Sequence, residues 1–152
     1  DKIIRVWNLS NYHEMANLEG HEDSVTALQL DANFLFSGGE DGVVKIWNMV
    51  NLAEPYCLST FVAHRGCVRA MLMLPDLSLL ATTAFDGKIK LWDYHHYDEE
   101  TGVMGRVVTE FRHKDDFRCL TYRQRERHIM AGTDQNNILL FPLNEAAVSR
   151  TS

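Results

Sequence analysis

The densest cluster of ligating side chains is Trp92-Asp93-Tyr94-His95-His96-Tyr97-Asp98-Glu99-Glu100. Imidazole and carboxylate are donors that a divalent metal accepts. Adjacent residues of a strand point to opposite faces, however, so His95 and His96 cannot share an ion in an extended chain. An acidic hairpin lengthening one edge of the fold is the better reading, and no metal is expected. Cys67 follows His64 by three residues, a thiol and an imidazole of the kind used in nucleophilic catalysis. Ser37-Gly38-Gly39 has the small residues of a phosphate-cradling loop but lacks the following Gly-Lys-Ser/Thr. Arg118, Arg123, Arg125 and Arg127, interleaved with Tyr122, could face RNA or another acidic ligand. A solvated charged turn explains the same four arginines. Met71, Met73 and Met130 fall at apolar positions and read as core. No catalytic residue and no cofactor emerge from these patterns.

Bulk properties narrow the field further. The 152 residues carry 15 Lys plus Arg against 21 Asp plus Glu, a net charge of −6. That acidity argues against the phosphate backbone of nucleic acid as the main ligand. The apolar run Ala70-Met71-Leu72-Met73-Leu74 is far short of the ~20 residues of a membrane helix, so no membrane insertion is expected. Three cysteines, Cys57, Cys67 and Cys119, with no CxxC pair, fit a reducing, intracellular setting. The chain opens on Asp1 with no signal pattern, and a piece of something longer is expected.

The elements that position these residues repeat. Asp-Lys-Ile-Ile-Arg-Val-Trp-Asn at 1–8, Asp-Gly-Val-Val-Lys-Ile-Trp-Asn at 41–48 and Asp-Gly-Lys-Ile-Lys-Leu-Trp-Asp at 86–93 place Trp7, Trp47 and Trp92 in one phase. Gln135–Pro142 is a weaker copy with Phe141 in the Trp position, and the aromatics are 40, 45 and 49 residues apart. Upstream lie Gly20-His21, Ala63-His64 and Arg112-His113, each 26 or 28 residues before its aromatic. The His-to-aromatic distance holds nearly constant while the period drifts. Insertions therefore fall between the aromatic and the next His, as in loops on a rigid repeat.

Each unit is made of short β-branched and aromatic segments separated by turn residues. Strands are expected at Ser24–Leu30, Phe34–Gly39, Val43–Met49 and Cys57–Val62, then Cys67–Leu74, Ser78–Ala84, Lys88–Asp93 and Arg106–Phe111. Asp31-Ala32-Asn33 and Pro75-Asp76-Leu77 are the first turns of each unit, and Asp41-Gly42 and Asp86-Gly87 the second.

This register resembles the WD40 repeat of β-propellers, over essentially residues 1–143. The resemblance implies an all-β arc of four-stranded antiparallel blades, with strands a to d running from centre to rim. About thirteen strands are expected, too few for the usual ring. The expected units are the end of one blade at 1–20, blades at 21–63 and 64–112, a degenerate blade at 113–143 and a tail at 144–152. An arc left alone would expose two apolar faces and a strand edge, so partners should include whatever completes the propeller.

The resemblance also implies a hydrogen-bonded chain of His, Ser or Thr, Asp and Trp in each blade. By position these are His21, Ser37, Asp41 and Trp47, then His64, Thr82, Asp86 and Trp92. Burying an indole N–H and an imidazole without partners would cost a few kcal/mol, so such a chain is physically reasonable. In the third unit His113 remains, but Ala131, Gln135 and Phe141 stand at the other positions. No such network is expected there, and this blade should be the least rigid.

Partners of such propellers commonly dock on the narrow face, built by d–a loops and b–c turns. Here those are Glu22, Asp23 and Ser24; Arg65, Gly66 and Cys67; Lys114 and Asp115; with Glu40, Phe85 and Asp134 in the b–c turns. Phe85 stands out because a large aromatic in an exposed turn has no obvious core duty. Trp92-Asp93-Tyr94-His95 and Trp47-Asn48-Met49-Val50 lack the Arg that ends Trp-Asp-x-Arg in some cullin-type ubiquitin-ligase receptors. The expectation is a non-catalytic scaffold for protein–protein assembly. The alternative is a propeller binding RNA or another acidic ligand through Arg118–Arg127, and a metal-dependent enzyme ranks below both.

Overall fold

The computed structural model describes residues 1–144. The strands are β1 (Ile4–Trp7), β2 (Glu14–Leu18), β3 (Val25–Asp31), β4 (Phe34–Gly39), β5 (Val43–Asn48), β6 (Tyr56–Val62), β7 (Val68–Leu74), β8 (Leu79–Ala84), β9 (Lys88–Asp98), β10 (Val103–Arg112), β11 (Phe117–Arg123), β12 (His128–Thr133) and β13 (Ile138–Pro142). The expected tail at 144–152 lies, beyond Asn144, outside the described residues.

Among the described residues, thirteen strands form four antiparallel sheets: β1-β2, β3-β4-β5-β6, β7-β8-β9-β10 and β11-β12-β13. Neighbours in each sheet are consecutive in sequence, the outcome of tight turns between short strands. These sheets are the blades of a propeller arc, and β3, β7 and β11 are the innermost strands. β7 packs against β3 on one side and β11 on the other.

The core lies between sheets. Phe36, Val44, Ile46 and Met71 meet Trp92 and Tyr94 across the first and second full blades. Leu79, Leu91, Phe117 and Ile129 join the second blade to the third. Every residue of β8 is buried, as a strand covered on both faces must be. Trp47 packs with Ile4 and Leu18 of the preceding sheet, and Trp92 faces its own predecessor in the same way. Trp7, in the same phase, is 52% exposed on the flank of the arc.

Two strands run longer than the sequence indicates. β9 continues five residues past Asp93, and β10 begins at Val103 instead of Arg106. Tyr94 is the reason. It is buried, sets its ring edge-on to Phe36 at 5.0 Å and donates to Asp31 Oδ2 at 2.6 Å. What reads as a solvated insertion is anchored to the neighbouring blade at its base and exposed only towards its tip.

Each innermost strand opens with the same irregularity. Register slips between Val25 and Ala27, Val68 and Ala70, and Phe117 and Cys119, leaving Thr26, Arg69 and Arg118 each opposite no partner residue. A bulge of this kind re-aims its side chain out of the sheet's alternation.

Candidate functional site

The histidines of the d–a loops are held by groups far apart in sequence. His21 Nδ1 lies 2.9 Å from Asp41 Oδ2, and its Nε2 lies 2.8 Å from Ser37 Oγ. Trp47 Nε1 donates to that same Ser37 oxygen at 2.8 Å. The second blade repeats the geometry: His64 to Asp86 at 2.9 Å, His64 to Thr82 at 2.8 Å, and Trp92 Nε1 to Thr82 at 2.9 Å. An ionised carboxylate only accepts and an indole N–H only donates. The proton therefore sits on Nδ1, and the hydroxyl donates to Nε2 while accepting from the indole. Burial holds the His64 imidazole below its ordinary pKa, against the opposing pull of Asp86. For Asp41, burial pushes upward but is outweighed by His21 and by the backbone N–H groups of Val43 and Glu22, so its carboxyl sits low.

The backbone ties the same residues across blades. The Gly42 carbonyl accepts from the N–H of Ala63 and of His64, and the Gly87 carbonyl accepts from His113 N–H at 2.9 Å. Gly42 has φ +75°, and a Cβ there would stand 2.5 Å from the His64 carbonyl oxygen. Only glycine combines that φ with that approach. His64 thus joins the b–c turn of one blade to the side chains of the next.

The third blade is wired differently. Ala131 and Phe141 supply neither hydroxyl nor indole, as the sequence indicates, but the polar groups are not abandoned. His113 Nδ1 accepts from Asp115 N–H at 3.1 Å, and the Asp115 carboxylate accepts from Asn137 Nδ2 at 3.2 Å. The acid has moved from the b–c turn to the d–a loop. Phe141 fills the tryptophan position against Phe111 and Phe117, at 5.1 and 5.8 Å. Sequence reading missed Asp115 and Asn137 as a pair because they follow no repeat position.

The b–c turns and d–a loops come together on one face. Glu40 N–H donates to Ser24 O, Phe85 N–H to Cys67 O and Asp134 N–H to Asp116 O, one bond per blade at the same place. Glu22, Asp23, Glu40, Arg65, Phe85 and Lys114 are exposed there. Ser24, Gly66, Cys67 and Asp134 are half-buried. Asp115 is buried and engaged with Asn137, so it belongs to the scaffold and offers a partner little surface. Phe85 is 46% exposed, and the Arg69 guanidinium lies over its ring at 4.6 Å. Arg69 was not singled out by sequence; its only signal was its place two residues after Cys67.

The competing chemistries do not assemble. His95 is exposed while His96 is half-buried, and no group of three or more metal-ligating side chains forms among the described residues. His64 is committed to Asp86 and Thr82, and Cys67 Sγ lies 3.6 Å from Val68 O. A Cβ on Gly38 would stand 2.6 Å from Val68, so this glycine admits the next blade. The arginines do not form one face. Arg118 sits at the start of β11 and Arg123 at its end, five residues on, which at ~3.3 Å per residue is roughly 17 Å. Arg123 pairs with Glu126 and Arg127 with Asp76.

Comparison with known proteins decides the family. Residues 13–48 and 55–93 match the family described as WD40, WD domain, G-beta repeat. This is a WD40-repeat chain. Nuclear distribution protein PAC1 of Arthroderma benhamiae is 33% identical over 114 residues, 68% of this chain and 24% of that protein. Elongator complex protein 2 of Saccharomyces cerevisiae is 28% identical over 162 residues, 98% of this chain and 20% of that protein. Mitochondrial division protein 1 of the same yeast is 35% identical over 111 residues, 61% of this chain and 15% of that protein. The WD40 chain thus spans a quarter or less of these relatives. Among solved structures, the computationally designed Ika4 protein superposes with a TM-score of 0.75 at 23% identity, covering 95% of this chain and 81% of that one. That likeness concerns the fold alone.

Proposed function

We propose that this WD40 segment is a non-catalytic scaffold that docks other protein subunits within a larger assembly. The observation that carries the reading is the half-exposed Phe85, held on a turn bonded to the d–a loop and flanked by Arg69. An aromatic and an arginine on a rigid frame are the residues that dominate interface energies. WD40 propellers are in general non-catalytic, and the polar clusters here are spent on locking blades. The relatives' names concern nuclear distribution, the Elongator complex and mitochondrial division, three different processes inside cells. What such proteins share is a frame, with specificity placed in its loops. An intracellular location and protein partners, including whatever completes the propeller, follow as part of the proposal.

The test is site-specific photo-crosslinking in the full protein, with a benzophenone side chain at position 85 and another at position 62 on the outer strand. Partner adducts concentrated at position 85 support the narrow face. Adducts at position 62 with none at 85 would overturn it.

A further inference from the structure

We infer that the second and third blades take a carboxylate-rich protein segment, its acids on Arg69 and Arg118 and an apolar side chain on Phe85; this rests on the docking reading above. The argument begins with charge. In a chain of net charge −6, several cations on other surfaces are paired with acids: Arg5 with Asp1, Lys88 and Arg112 with Glu110, Arg123 with Glu126, Arg127 with Asp76. Arg65, Arg69, Lys114 and Arg118 have no ion pair among the described residues. All four occupy equivalent places in adjacent blades, two in the d–a loops and two at the bulges.

The bulges supply the second argument. In the first full blade the bulge residue is Thr26, whose hydroxyl is spent on the carbonyls of Gly38 and Val68. The equivalent residues of the next two blades are Arg69 and Arg118, aimed by the same backbone irregularity with no carbonyl or carboxylate bound to them among the described residues. Arg69 Nε is buried and without a hydrogen-bond partner among the described residues, an uncommon state for a guanidinium. Its plane is held by the Phe85 ring, which orders the fork before any ligand arrives. An ordered guanidinium fork matches a carboxylate in two parallel hydrogen bonds.

A phosphate backbone is disfavoured because Glu22, Asp23 and Glu40 are exposed on the adjoining blade of the same face. A continuous row of phosphates would have to cross them, whereas separate carboxylates can reach the arginines alone.

The experiment is fluorescence anisotropy of a fluorescein-labelled nonapeptide of alternating Glu and Leu against the full protein. Binding that weakens at least tenfold in the Arg69→Gln/Arg118→Gln double variant, and weakens as salt rises, is the expected result. Arg118 is exposed, so Arg118→Gln alone leaves folding intact and should weaken binding about threefold. Equal affinity of wild type and Arg118→Gln would overturn the proposal, as would displacement of the peptide by oligouridine with equal potency. If the peptide fails to bind the wild-type protein while position 85 still gives partner adducts, docking on this face stands and its acidic chemistry falls.

Discussion

In the second blade, His64 is closed on both nitrogens by Asp86 and Thr82, and Trp92 completes the chain from below. In the third, His113 keeps its place in the loop but accepts a backbone N–H, and its acid comes from two residues away instead of from the turn. Burial tracks the wiring: the His64 side chain is 0% exposed and that of His113 27%. The register of the strands is the same in both. A blade therefore needs the apolar faces and strand pairing to form, while the polar chain sets how tightly its loop is clamped. A fully satisfied buried network is worth more than its separate bonds, and a partly exposed one can be exchanged for another.

The difference should be largest when the aromatic is removed. Trp92→Ala deletes a buried indole from the core between two blades and should cost about 3–5 kcal/mol. Phe141→Ala, at the equivalent but half-buried position, should cost about 2 kcal/mol. Urea denaturation of the full protein measures both, and equal losses would erase the distinction between the blades.

Next in size is the hydroxyl. Thr82→Val keeps the volume but leaves His64 Nε2 and Trp92 Nε1 without partners, at about 1–3 kcal/mol for each. Asn137→Ala in the third blade removes one exposed donor from Asp115 and should cost about 1 kcal/mol. The same denaturation series reads both, and a larger loss for Asn137→Ala would mean that the substitute network is the stronger one.

A smaller contrast separates two tyrosine clasps between blades. Tyr94 donates to Asp31 and Tyr122 to Asp76, each reaching back to the first turn of the preceding blade. Burial, with the nearby carboxylate, pushes the Tyr122 phenol up to about 12 and the Tyr94 phenol higher. Tyr94→Phe should cost about 2 kcal/mol and Tyr122→Phe about 0.5, since a bond to a charged acceptor counts for more when buried. Thermal unfolding with tyrosine replaced singly distinguishes them.

The smallest effect is a pH slope. The folded chain holds His64 below its ordinary value, so between that ordinary value and the lower folded one the unfolded chain binds more protons. The contribution is full above about pH 6.5 and is lost as pH falls through the folded value. Asp41, also depressed, adds a second loss at lower pH, beginning near the usual carboxylate range. His64→Asn should flatten the first slope and leave the second; denaturation midpoints at several pH values give the answer.

The glycines and aspartates of the turns, the phased tryptophans and the histidines were legible because each repeats at a fixed distance, and repetition converts local chemistry into register. Three features were not. Tyr94 reads as part of a polar insertion until Phe36 of another blade is seen against it. Asp115 reads as a loop acid until Asn137 is found beside it. Arg118 reads as one of a row of arginines, and only the length of β11 shows that it stands at the other end of the blade.

By itself the sequence determined the all-β class, the strand order within each blade and the identity of the groups that would have to be satisfied together. These follow from spacing along the chain, because a strand alternates and a turn needs particular residues. The tertiary structure alone decided which face each polar group finally served, and where cations were left without acids. The partners in those contacts lie dozens of residues away on another blade, and their distance is set by how sheets pack, a quantity that no local pattern encodes.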